Sequence, residues 1–255
     1  MIEADVGTAL LLSTLAGLST GIGSFFALFI RKPKLSYLIF SLGFSAGVML
    51  YVSFVELLPS ALEEFDGLMA VVPFFLGILL IGAIDMMMPK RENPHDYGGL
   101  TEATNNGQLM RTGMFTAMAI AIHNFPEGLA TFGTALGDPA LGGVIALAIA
   151  IHNIPEGVSV SMPIYYATGD KKKSFMYSFL SGVAEPVGAI IGFAVLFPFL
   201  TESLLAALLT FVAGIMVYIS LDELLPTALE HTKGHKVIIG VVLGMLVMAI
   251  SLSML

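Results

Sequence analysis

Two six-residue phrases hold the residues best suited to chemistry: His123-Asn124-Phe125-Pro126-Glu127-Gly128 and His152-Asn153-Ile154-Pro155-Glu156-Gly157. In each, histidine and glutamate are four apart, so on a helix they project from one face, one turn above the other. Imidazole nitrogen and carboxylate oxygen are ligands for divalent transition metals such as zinc, iron and manganese. The intervening proline has no N–H, so the carbonyls of Ile122 and Ile151 lose their helical partner and a kink is expected at the level of the ligands. Two such phrases facing each other would form a metal site.

The elements that carry them are apolar. Of 255 residues, 56% are hydrophobic and 12% charged, with mean hydropathy +0.91. A soluble domain carries about 25% charged residues, so the expected class is an all-α integral membrane protein. A spanning helix needs roughly 20 apolar residues. Eight spans fit, at about 6–30, 36–60, 68–88, 114–136, 139–166, 175–198, 203–228 and 236–255, in a single transporter domain with one long connection, expected to be mobile, at about 89–113. The chain has no cysteine, which excludes disulfides and thiolate sites. Its acidic start lacks the basic region of a signal peptide, so the first span is expected to be retained.

All eleven Lys and Arg residues fall between spans 1 and 2, 3 and 4, 5 and 6, or 7 and 8. With eight spans every one lies on the same side, which the positive-inside rule makes cytoplasmic, leaving both termini outside. The chain also repeats itself. Residues 44–63 match 211–230 at thirteen of twenty positions with an offset of 167, and 118–132 match 147–161 at nine of fifteen. The first pair comprises spans 2 and 7, the second spans 4 and 5. Partners in each pair cross the membrane in opposite directions. Inverted repeats around a midplane site are the architecture of secondary transporters.

At the centres of the spans the ionisable residues are few: His123 and Glu127 in span 4, His152 and Glu156 in span 5, and Glu185 in span 6. A charge at mid-membrane costs roughly 2.5–3.5 kcal/mol on insertion scales. With no Lys or Arg inside any span, either the glutamates are protonated or a cation arrives from outside; the adjacent histidines favour a divalent metal. Asn124 and Asn153 can supply amide oxygens or bond the backbone freed by proline. Met49 and Met216 occupy matching mid-span positions, and packing is the plainer role for Met216. Asp85 is expected to reach the headgroups near Lys90, and His95, His231 and His235 to be solvated in cytoplasmic loops. The repeat places Glu56 about 10 Å outward of Met49, and Glu223, with Asp222 beside it, equally far inward of Met216. These read as outer and inner way-stations of a metal path, or else as helix-end and headgroup residues.

The two His-Asn-x-Pro-Glu-Gly phrases on adjacent spans resemble the signature of the ZIP family of divalent metal transporters. The likeness covers almost the whole chain, including SLGFSAGVML, HNFPEGLATF, IHNIPEGVSV, YYATG and AGIMV…DELLP. It implies eight helices in a three-two-three inverted arrangement, with a two-metal centre between helices 4 and 5. By position, it implies that His123, Glu127, His152 and Glu156 hold one metal. Asn124, Asn153 and Glu185 would hold the other, with the two glutamates of spans 4 and 5 bridging. The expected function is uptake of Zn²⁺, with Fe²⁺, Mn²⁺ and Co²⁺, into the cytoplasm across a bacterial inner membrane. The expected partners are divalent metal ions and the lipid bilayer, with no nucleic acid, no prosthetic group, and pairing as a homodimer.

Two alternatives use the same residues. An intramembrane metalloprotease would need His-Glu-x-x-His; the spacing here is His-x-x-x-Glu, and inverted duplication serves no enzyme. A proton-coupled carrier or channel would use the carboxylates and imidazoles without metal. The sequence holds no nucleotide-binding loop, so an ion gradient or counter-ion is the expected driving force.

Overall fold

The computed structural model describes residues 6–29, 34–87, 102–196, 201–230 and 235–253. Among them every regular element is helical, as a lipid environment requires of segments that must satisfy their own backbone. Eight helices follow in order. Helix α1 is Val6–Phe29. Helix α2 is Leu35–Val52, continued by a π-turn at Ser53–Leu57 and by Leu58–Glu64. Next come α3 Leu68–Met87, α4 Glu102–Gly137 and α5 Pro139–Thr168. Helix α6 is Lys171–Ile191 with a π-turn at Gly192–Leu196. Helix α7 is Glu202–Tyr218, a π-turn at Ile219–Leu224 and Leu225–Glu230, and α8 is Lys236–Ser253.

Seven of these are long and apolar enough to cross a membrane, and the exception is α4. Its hydropathy is lowered by Thr112, Thr116, His123, Asn124, Glu127 and Thr131, all buried. Neighbouring helices, not lipid, surround that polar face. Both motif helices continue unbroken through Pro126 and Pro155. Between them stands Asp138 alone, whose Oδ1 accepts the Ala140 N–H at 2.9 Å while Pro139 starts α5, an N-cap with proline at the first position. The two motif helices lie antiparallel, with Gly142 against Ala135 near the turn. Asp170 caps α6 in the same way, accepting from the Lys173 N–H at 3.0 Å, after Gly169 turns the chain at φ +68°.

The connection expected at about 89–113 is helical from Glu102 onward. Leu109 is buried among the core residues, which anchors these extra turns. Arg111 is thus a helix residue. Lys171, Lys172, Lys173 and Lys236 are helix residues likewise, in the first turns of α6 and α8. His95, His231, Lys90, Arg91, Arg31, Lys32 and Lys233 lie outside the described residues; His235 is exposed.

Packing divides the helices into two groups, α1–α4–α5–α6 and α2–α3–α7–α8, joined through α2 with α5 and α4 with α7. The contacts obey the inverted repeat. A Cβ on Gly77 would meet the Phe211 carbonyl at 2.0 Å, and one on Gly244 the Phe44 carbonyl at 2.2 Å. These four positions are related by the same offset of 167, so the α3–α7 crossing is the counterpart of α2–α8. Helices α1 and α6 form a further pair that sequence comparison did not reveal. Gly23 meets Ile154 O as Gly188 meets Phe125 O. The Ser13 Oγ–H reaches Gly128 O as the Ser178 Oγ–H reaches Gly157 O. The α1–α6 offset is 165, taken from 23 to 188 and from 13 to 178. Only glycine-sized residues allow backbones this close within a bilayer.

The repeat extends to backbone defects. In α2 the Leu58 N–H bonds Ser53 O, and in α7 the Leu225 N–H bonds Ser220 O. Each is an i to i−5 bond, one residue before Pro59 or Pro226. Proline withholds the N–H that the preceding turn needs and crowds it sterically, and a widened turn absorbs both effects. The turns carry Glu56 and Glu223, so the carboxylates sit where the helix is irregular in both halves.

Candidate metal centre

The α4–α5 pairing brings the two phrases face to face, but not as two separate histidine–glutamate units. The pairs cross. His123 Nε2 lies 3.0 Å from Glu156 Oε1, and His152 Nε2 lies 3.5 Å from Glu127 Oε2. All four residues are buried, with at most 2% exposure. Tetrahedral zinc with nitrogen and oxygen ligands at 2.0–2.2 Å separates neighbouring ligand atoms by about 3.4 Å. Both crossed pairs stand close to that spacing.

The asparagines are oriented by chemistry rather than assignment alone. Asn124 Nδ2–H donates to Ser181 O at 3.3 Å, and Asn153 Nδ2–H donates to Ala16 O at 3.0 Å. These partners are counterparts under the α1–α6 repeat. A backbone carbonyl can only accept, so each amide nitrogen must face α6 or α1, leaving each Oδ1 for the centre. Asn153 Nδ2–H also donates to Glu185 Oε2 at 2.8 Å, which brings Glu185 from α6 into the cluster. The Oδ1 atoms of Asn124 and Asn153, Glu156 Oε2 and Glu185 Oε1 are buried acceptors with no donor among the described residues. Four buried acceptors without donors on neighbouring side chains call for an explanation, because unpaired polar groups in a protein interior are costly and rare.

The symmetry fails at one position. Subtracting the offset of 165 from Glu185 gives Thr20, a buried threonine that offers no carboxylate. One side of the centre therefore has a third carboxylate and its mirror side does not.

Met49 and Met216 are both buried in the main core, and Ser220 Oγ–H points at the Met49 sulfur at 3.6 Å. The repeated glutamates differ in setting: Glu56 is exposed and Glu223 is 1% exposed. Asp85 does not serve the headgroups alone, as the sequence led one to expect. It accepts from the Tyr218 hydroxyl at 3.3 Å. Asp85, Asp222 and Glu223 present ligand atoms all within 4.8 Å of one another, the one such group of three among the described residues. Asp85 was missed because it lies outside the repeated segments; its one signal in sequence was an acidic residue near the end of an otherwise uncharged helix.

The fold and centre together define a multi-pass membrane protein built as an inverted repeat, with imidazole, carboxylate and amide groups converging between two antiparallel helices. Residues 87–252 match the family model described as ZIP zinc transporter. The chain belongs to the ZIP family. It is 52% identical over 273 residues to a protein of Clostridium perfringens, covering 97% of this chain and 96% of that one. It is 54% identical over 254 residues to one of Streptococcus mutans, covering 96% of each, and 48% identical over 279 residues to one of Campylobacter jejuni, covering 97% and 96%. All three relatives carry the name zinc transporter ZupT.

Proposed function

We propose that the protein takes up divalent metal ions, zinc foremost, with Fe²⁺, Mn²⁺ and Co²⁺ as further substrates, and delivers them to the cytoplasm. One observation carries the reading: the crossed His123–Glu156 and His152–Glu127 pairs sit beside four buried acceptor oxygens that lack donors. A cation supplies what those oxygens lack, and imidazole nitrogen selects for transition metals over calcium or magnesium. The relatives' name as zinc transporters supports the choice of zinc. Ligands of this mixed kind, without thiolate, discriminate weakly among first-row metals.

In this reading His123, Glu127, His152 and Glu156 hold one ion, and Asn124, Asn153 and Glu185 flank a second position bridged by Glu127 and Glu156. The second position is one-sided because its mirror residue is Thr20. Glu56 collects ions on the outer side, and Glu223, Asp222 and Asp85 receive them on the inner side, with both termini outside as the basic residues dictate. The test is uptake of a panel of divalent metals into proteoliposomes with internal pH recorded. Zinc uptake that His152→Ala or Glu156→Ala abolishes, in protein that still inserts and folds, supports the reading. Normal transport by both variants overturns it. Proton movement without metal uptake would favour the proton carrier.

A further inference from the structure

Many serine and threonine hydroxyls in this bundle bond their own helix: Thr14 to Leu10 O, Thr168 to Ile164 O, Thr210 to Ala206 O and Ser220 to Met216 O. Thr112 and Thr116 do not. They are 1% and 0% exposed, yet neither hydroxyl bonds its own helix: that of Thr112 interacts with the Glu223 carboxylate, and that of Thr116 has no partner among the described residues. A helical threonine can turn its hydroxyl onto a carbonyl one turn back. Thr20, Ser53 and Thr131 share that lack of a bond, and for Thr112 and Thr116 it needs an explanation.

Their position provides one. Thr112, Thr116, His123 and Glu127 are spaced by four, seven and four residues, which places them along one stripe of α4. One end of the stripe is the His/Glu centre. At the other, Thr112 stands beside Glu223, which also faces Asp222, Asp85 and Arg111. Here α4 packs on the π-turn of α7. Glu223 is itself buried, and its Oε2 has no donor among the described residues. From Thr112 to His123 the helix rises about 16 Å, too far for an ion to pass between two binding groups without oxygen ligands on the way.

We propose that Thr112 and Thr116 line the passage between the His/Glu centre and the Asp85–Asp222–Glu223 group, lending hydroxyl oxygens to the hydrated metal ion as it moves. The inference rests on the metal-transport reading above and adds the route. Neutral hydroxyls suit a passage because they replace part of a hydration shell without holding the ion as a carboxylate would.

The experiment compares Thr112→Val and Thr116→Val with Thr112→Ser and Thr116→Ser in zinc-loaded proteoliposome assays, alongside bound-zinc stoichiometry and thermal stability in detergent. Each valine variant is expected to lower maximal zinc uptake about tenfold, the scale of one lost neutral ligand, with bound zinc and KM little changed. The serine variants are expected to stay within about twofold of the parent, since they keep the oxygen. Stability of Thr116→Val should equal or exceed the parent, because an unpartnered buried hydroxyl is removed, so a folding defect cannot imitate its effect; Thr112→Val also loses the interaction with Glu223, and its transport is read against its measured melting temperature. Valine variants that bind zinc and transport at the parental rate overturn the passage while leaving the centre intact. No zinc uptake by the unsubstituted protein overturns the transport reading and the passage with it.

Discussion

Replacing Glu156 by glutamine separates the cost of the buried carboxylate from its use. Glutamine keeps the shape and can still bond His123, whose Nε2 lies 3.0 Å from Glu156 Oε1. Without metal, the variant sheds a mid-membrane charge worth roughly 2.5–3.5 kcal/mol. It loses about 1–1.5 kcal/mol as a charge-assisted hydrogen bond becomes a neutral one. The metal-free variant should therefore be more stable by about 1–2 kcal/mol. With zinc at a hundred times its dissociation constant, the parent gains about 2.7 kcal/mol. At about 2–4 °C per kcal/mol for a chain of this size, that raises the melting temperature by about 5–11 °C. Loss of a direct ligand should weaken binding by about a hundredfold or more, so at the same zinc concentration the variant gains about 0.4 kcal/mol and moves about 1 °C. Melting in detergent with and without zinc reads both terms. A variant that is less stable without metal, yet shifts as far as the parent with zinc, would refute the assignment of Glu156 as a ligand that is costly until metal arrives.

Three further outcomes follow from particular residues. Zinc affinity should fall as pH drops from 8 to 5, because ligands bind only when deprotonated and the reference histidine pKa is about 6.5; a flat calorimetric titration over that range would contradict histidine ligation. Glu56→Gln should raise the external KM for zinc with a smaller effect on maximal rate, whereas Glu223→Gln should mainly slow turnover. Single cysteines at the two positions, introduced into a chain with none of its own, should label from opposite faces of the membrane, and labelling from one face would refute the inverted topology. Gly47→Ala should destabilise the protein by about 1–3 kcal/mol, since its Cβ would lie 2.1 Å from the Val241 carbonyl. Gly143→Ala, with open space around it, should be neutral or stabilising; equal melting of the two variants would disprove the close α2–α8 crossing.

Much of this was legible before any coordinates. The eight helices, the pairing of α2 with α7 and the confrontation of the two phrases follow from hydropathy, charge placement and repeated polar residues. What escaped did so for physical reasons. The α1–α6 pair shares little beyond Ser13, Leu15, Gly17 and Gly23 with their partners Ser178, Leu180, Gly182 and Gly188, because what repeats there is closeness of approach, which few side chains record. The crossing of the His–Glu pairs depends on interhelical register, which i, i+4 spacing within one helix does not specify. The first turns of α4 are polar and read as a loop, yet Leu109 buries into the core and carries Arg111 to Glu223. Asp85 was assigned to the headgroups because sequence distance to Lys90 was visible and spatial distance to Asp222 was not.

The most direct test of the account is zinc X-ray absorption on the purified, zinc-loaded protein. A centre at the two phrases predicts a nitrogen and oxygen shell at about 2.0–2.1 Å with imidazole scattering, lost when His123 and His152 are both replaced by alanine. A shell of oxygen alone, unchanged by that double substitution, would place the metal at Asp85, Asp222 and Glu223 instead and contradict the two-helix centre.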